Sequence, residues 1–174
     1  FNQDVKVSSS LSTEKINSSQ KIGFREEAEF EKLVSLGPLV SIDLIIRNKS
    51  REVLLGMRSN EPAKGYWFVP GGRVRKMEEL KGGFRSVVLD EIGVEREMED
   101  ANFIGVFEHF YSNSSYSTKI STHYIVLAYF FELEEEIECD NFGQHDEFRW
   151  FSIGDILTND LVHPYSKAYL KKIM

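Results

Sequence analysis

The apolar positions fall into separated runs, and their spacing changes along the chain. VSIDLII and REVLLGM are dense in aliphatic and β-branched residues and are divided by the polar RNKS. That pattern predicts two strands joined as a hairpin. YWFVP predicts a short strand closed by a tight Pro-Gly-Gly turn at Gly71 and Gly72. From about Glu78 the period lengthens to that of a helix running to Ile92, with Gly93 as its stop. FIGVFEHFY and THYIVLAYFFEL predict strands flanking the polar SNSSYSTKI, and EFRWF predicts one more. FREEAEFEKLVSLG, with Phe24, Phe30, Leu33 and Val34 apolar, and the tail HPYSKAYLKKI each predict a helix. Few helices around a mixed sheet is an α/β or α+β sandwich. Residues 1–22, rich in Ser, Asn and Gln, are expected to form a flexible arm, leaving 23–174 as one domain.

One residue breaks its own pattern. Leu80, Phe84, Val87 and Val88 define the apolar stripe of the helix, and Glu91 falls within roughly 20° of Leu80 and of Phe84 at helical spacing. A carboxylate there must be desolvated, and it sits in the last turn, where the helix dipole disfavours negative charge. Either Glu91 reaches out at the helix end or pairs with an arginine, or it binds a divalent cation, which removes both penalties. Gly71-Gly72 lies just before this helix and would let backbone carbonyls approach the same ion. Gly82-Gly83 inside the helix costs roughly 1 kcal/mol per residue against alanine, which points to close packing there.

The bulk properties narrow the partners. The 174 residues carry a formal net charge of −7, with a pI near 5.2. That argues against general binding to nucleic acid or a membrane surface. No apolar run is long enough to cross a bilayer as a helix. The lone Cys139 excludes an internal disulfide framework and fits a reducing cytoplasm. An anionic substrate would have to be met locally, by arginines or by a metal.

The strand–turn–helix resembles the Nudix box, G-x5-E-x7-R-E-U-x-E-E-x-G-U with U aliphatic. Gly72, Glu78, Glu91, Gly93 and Val94 match in register. Ser86 stands where the pattern has Arg, Val87 where it has Glu, and Asp90 where it has Glu. Across roughly Phe24 to Leu170 the chain resembles the GDP-mannose mannosyl hydrolase subfamily, which departs from the box at the positions of Val87 and Asp90. The strings that carry this are PLVSIDLI, LLGMRSNEPAKGYWFVPGGRV, GVFEHFY, STHYIVL and QHDEFRW. The resemblance implies an α/β/α sandwich around a mixed sheet, a homodimer, and Mg2+ (or Mn2+) as cofactor. It implies hydrolysis of GDP-mannose or GDP-glucose to GDP and free sugar, with water attacking the anomeric carbon with inversion.

By the same resemblance the metal is held by the Gly71 carbonyl, Glu91 and Gln144; for Gln144 the alternative is a plain loop amide. Arg58 and Arg73 correspond to residues that stabilise the departing GDP, for which guanidinium forks are suited. Arg58 is otherwise an exposed charge at a strand end. His145 matches the general base, a task that fits an unperturbed imidazole, although a lone loop histidine is more often a surface residue. Asp43 matches a substrate-contacting aspartate or is an outward-facing strand position. Tyr111 corresponds to a tyrosine that assists the leaving group or packs at a strand end. His109 and His123, in strand-like runs, read as structural. The competing readings are an ordinary Nudix pyrophosphatase, with Asp90 as a second metal ligand, and a non-catalytic nucleotide-sugar sensor.

Overall fold

The computed structural model describes residues 27–115, 118–134 and 145–174. The expected N-terminal arm lies outside them. β1 (Leu39–Arg47) is the buried centre of a seven-stranded mixed sheet. It runs parallel to β6 (Thr122–Glu132), from Leu39 opposite Tyr124 to Arg47 opposite Glu132. β5 (Asn102–Tyr111) continues antiparallel beyond β6. On the other side β1 meets β2 (Val53–Arg58) only at Arg47 opposite Val53. The expected hairpin therefore forms, but its strands part at once. β4 (Gly71–Arg73) takes the place beside Ser41–Asp43, while β2 pairs with β3 (Trp67–Phe68) and β7 (His145–Phe151). The fork between the parted strands opens the cleft described below.

Gly71 and Gly72 are thus strand residues paired with β1 and do not form the tight turn expected of them. The reason is space. A Cβ at Gly71 would stand 2.7 Å from Asp43 Oδ1 and 2.8 Å from the Ile42 carbonyl oxygen, and one at Gly72 would stand 2.9 Å from Val87 Cγ2. No left-handed backbone is involved at either position.

Alternation along β1 divides the core. Ile42, Leu44 and Ile46 pack beneath α2 (Leu80–Ile92) with Phe84, Val88 and Phe131. Ile45 on the other face joins Val53, Leu55, Val126 and Ile156, together with Tyr169 and Leu170 of α4 (Pro164–Ile173). Helices on both faces make this the α/β/α sandwich expected. α1 (Glu27–Leu36) precedes the sheet and is anchored through buried Val34. α3 (Ile153–Thr158), whose N-cap Ser152 accepts from the Asp155 N–H, was not legible in the pattern.

α2 stops where glycine predicts. Gly93 adopts φ 71° and its N–H bonds the Leu89 carbonyl oxygen. Its buried stripe is Gly83, Phe84, Val87, Val88, Glu91 and Ile92, whereas Leu80 is 44% exposed. Gly83 is buried, but the packing around Gly82-Gly83 is not tight enough to require glycine. A Cβ at Gly82 would meet only Glu78 Cγ at 4.0 Å, and one at Gly83 would make ordinary contacts from 3.5 Å.

Candidate active site

The cleft in the fork is lined from β1 by Ser41 and Asp43, from the end of β2 by Arg58, from β4 by Gly71 and Arg73, and from the end of β5 by Tyr111. Strand pairing accounts for this gathering. Asp43 lies opposite Gly71, and Arg58 opposite His145 across an irregularity in the β2–β7 ladder. The cleft encloses about 140 Å³, below the 300–1,000 Å³ of pockets that engulf a small molecule.

Asp43 faces inward, only 7% exposed, not outward as a charged strand residue would. It shares the α4 side of β1 with Ile45, and there Tyr169 donates its hydroxyl proton to Asp43 Oδ2 at 2.6 Å. The Tyr169 oxygen also lies 2.9 Å from His109 Nε2. With the phenol proton committed to Asp43, that oxygen accepts from the Nε2–H tautomer of His109. Burial pushes the Asp43 carboxyl up to about 7, offset in part by the Tyr169 hydrogen bond and the Arg58 charge. Burial, with His163 adding to it, pushes His109 down to about 3. His163 is pushed down to about 4, by burial and then by Arg58. Tyr169 is held protonated, well above the usual phenol range, by burial and then by the Asp43 charge.

An aromatic wall supports this chain of groups. His109 stacks on Tyr165 at 3.9 Å, and Phe107 meets Tyr169 edge-on at 4.7 Å. Tyr111 stands 5.8 Å from His163 and 6.3 Å from Tyr124, which also lines the cleft. Burial raises the Tyr111 hydroxyl above its ordinary range, so it remains a proton donor. Tyr111 thus packs at a strand end, one of the two expectations for it, and it also lines the cleft. His109 is a satisfied buried histidine as expected, yet it borders the cleft. His123 stacks on Phe110 at 4.4 Å, but its buried Nε2, 3.8 Å from Glu108 Oε1, makes no hydrogen bond among the described residues, so it is not satisfied as His109 is.

Arg58 donates through Nη2 to the Pro62 carbonyl oxygen at 3.3 Å, and its backbone is pinned by Tyr66 and Gly65. Arg73 projects from β4 with its guanidinium 4.1 Å from the Phe30 ring centroid. Glu91 is 5% exposed and close enough to Asp43 for its charge to be felt there. It does not reach out to solvent at the helix end.

A model of the NUDIX domain matches residues 37–172. The chain belongs to the NUDIX family. It is 41% identical to the low-salt glycan biosynthesis protein Agl8 of Haloferax volcanii, over 82% of this chain and 86% of that one. Diphosphoinositol polyphosphate phosphohydrolase 2 of Rattus norvegicus is 31% identical, over 70% of this chain and 62% of its own length. A MutT NUDIX hydrolase from Burkholderia pseudomallei shares the fold with a TM-score of 0.64 at 20% identity, covering 79% of this chain and 99% of that one.

The NUDIX box has a specific form here. Glu78 accepts from the Arg75 N–H at 2.8 Å and, weakly, from Ser86 Oγ at 3.4 Å. Ser86 thus keeps a thin version of the contact that the box arginine would make. Val87 is buried and packs on Gly72, where the pattern calls for a carboxylate. Asp90 is exposed and lies 3.9 Å from Arg75, so it does not supply the second inward carboxylate considered above. Among the described residues no three His, Cys, Asp or Glu side chains converge as a metal cluster. Glu91 and Asp43, whose charges act on each other, are hard oxygen donors of the kind that suits magnesium. Gln144 lies outside the described residues, as does the side chain of His145, whose backbone opens β7.

Tyr169 escaped the sequence reading. Its only signal was a tyrosine in the apolar stripe of an amphipathic helix, which fits core packing equally well.

Proposed function

We propose that this NUDIX hydrolase cleaves a GDP-sugar, GDP-mannose or GDP-glucose, to GDP and the free sugar. Water attacks the anomeric carbon with inversion. The observation that carries this is the state of the box: Val87 is buried on Gly72 and Asp90 is turned out towards Arg75. A box that keeps one inward carboxylate on its helix, Glu91, is a poor basis for gathering several metals around a phosphorus atom. It suffices where the leaving group already departs well. The kinship with a protein named for glycan biosynthesis agrees with sugar-nucleotide chemistry.

In this reading the water oxygen forms a bond to the anomeric carbon while the bond from that carbon to the β-phosphate oxygen breaks. The bonding pair leaves with GDP, and His145 takes the proton from water. Arg58 and Arg73 meet the negative charge gathering on the diphosphate. Tyr111 donates a hydrogen bond to the departing group, and Asp43, held by Tyr169, orients the sugar. The Gly71 carbonyl, Glu91 and Gln144 would hold Mg2+, or Mn2+, which when bound neutralises diphosphate charge. The catalytic domain would be residues 23–174, working as a homodimer in the cytoplasm.

The test is hydrolysis of GDP-mannose in isotopically heavy water with magnesium. Heavy oxygen in mannose beside unlabelled GDP is expected. Label in a phosphate product would mean attack on phosphorus. Without turnover, affinity for GDP-mannose that His145→Gln leaves unchanged would mark a sensor.

A further inference from the structure

Helix α1 precedes the segment that matches the family model, residues 37–172, yet Phe30 on it lines the cleft. Its ring takes the Arg73 guanidinium at 4.1 Å. Among the described residues the other arginine–ring pairs are looser: Arg47 on Phe130 at 5.0 Å, Arg149 on Trp67 at 5.3 Å and Arg96 on Phe131 at 5.6 Å. None of those arginines lines the cleft. The backbone of Arg73 is fixed opposite Ser41 by the β1–β4 ladder, but its side chain is exposed and carries several free torsions. A planar guanidinium over an aromatic face keeps its in-plane N–H donors available for a second partner.

We infer that Phe30 is a positioning residue: its ring holds the Arg73 guanidinium at the cleft mouth, ready for an anionic diphosphate. The inference rests on the reading of Arg73 as a diphosphate ligand. An arginine already ordered loses less freedom on binding, so the helix outside the family domain contributes to affinity through Arg73. The contact is local to this chain's own α1 and does not depend on which bond the enzyme breaks.

The test compares Phe30→Leu, which keeps apolar bulk and removes the π face, with Phe30→Tyr, which retains the face. The ligand-free full chain is first examined by NMR at the Arg73 side chain, where the ring displaces the Nε–H resonance. Affinity for inorganic pyrophosphate with magnesium is then measured by titration calorimetry. Phe30→Leu is expected to abolish the ring-induced shift and weaken pyrophosphate binding about fivefold, and Phe30→Tyr to restore both. In an Arg73→Ala background Phe30→Leu is expected to have no further effect. An unmoved Arg73 resonance, an unchanged affinity, or an equal loss in the Arg73→Ala background would each overturn the inference. So would a wild-type chain with no affinity for pyrophosphate. Failure to hydrolyse GDP-mannose alone would strike the proposed reaction and leave this result standing.

Discussion

Two glycine pairs sit close together in the same strand–loop–helix segment, and their surroundings differ completely. Gly71 and Gly72 lie in β4, where added Cβ atoms would run into Asp43, the Ile42 backbone and Val87. Gly82 and Gly83 lie in α2, where added Cβ atoms would meet open space or ordinary contacts. The first pair lets a strand press against a buried carboxylate and a helix at the edge of the cleft. The second pair sits at the start of a helix where an alanine methyl would be accommodated, Gly82 being exposed and Gly83 buried at ordinary contact distance. Glycine therefore marks the site only where its missing side chain is replaced by another group.

The largest effect is expected at Gly71. Gly71→Ala pushes a methyl group against the Ile42 backbone, which has no rotamer to relieve it, and against Asp43. A loss of about 3 kcal/mol in stability is expected, with turnover falling at least about a hundredfold as β4 shifts away from the site. Urea unfolding and steady-state rates check this. A variant of normal stability and activity would mean that the strand moves freely and that the close approach is incidental.

The group on the other side of that contact can be tested through its charge. The Asp43 carboxyl, at about 7 in the folded chain against 3.8 ordinarily, binds more protons folded than unfolded between those values. Its contribution to stability is full below the lower value and is lost as pH rises through the higher one. Asp43→Asn does not titrate, so relative to the parent it should gain on the order of 3 kcal/mol between about pH 4 and pH 8. His109 and His163, both pushed down, act in the opposite direction on acidification. They do so in both proteins, so the difference between unfolding midpoints isolates Asp43. A difference that stays flat with pH would show that Asp43 is ionised throughout.

Gly72→Ala should be milder, because the atom it meets is a side-chain methyl of Val87. A cost of about 1–3 kcal/mol is expected, and Val87→Ala in the same chain should recover most of it. Additive losses in that double-mutant cycle would break the link between the strand and the altered box. The smallest effect has the opposite sign. Gly82→Ala, exposed in the first turn of α2, should stabilise by up to about 0.5 kcal/mol and leave turnover unchanged. Destabilisation would reveal a packing partner for α2 beyond the described chain.

The hydrophobic periods announced β1, β2, β5, β6, α2 and α4 because each buries one face or both, and burial imposes its period on the residues. The box pattern located Glu91 and revealed the loss at Val87, since chemistry of that kind is written in consecutive residues. α3 was hidden by its shortness: six residues barely repeat a helical period. The true length of the β1–β2 pairing was hidden too, because nothing local says that β4 will displace β2 from β1.

The sequence by itself therefore determined most of the elements, the family pattern and the identity of the groups available for chemistry. Only the tertiary structure decided which of those groups meet. Asp43 fitted a substrate contact and an outward strand position equally until β1 was enclosed on both faces and left it 7% exposed. Tyr169, distant in sequence, then became its hydrogen-bond partner, with His109 behind it. Asp90 seemed a spare ligand until the turn of α2 put it in solvent beside Arg75. The physical reason is the same in each case. A residue's type fixes what it can donate or accept, but burial and partners, set by strands that pair across long stretches of chain, fix whether it does.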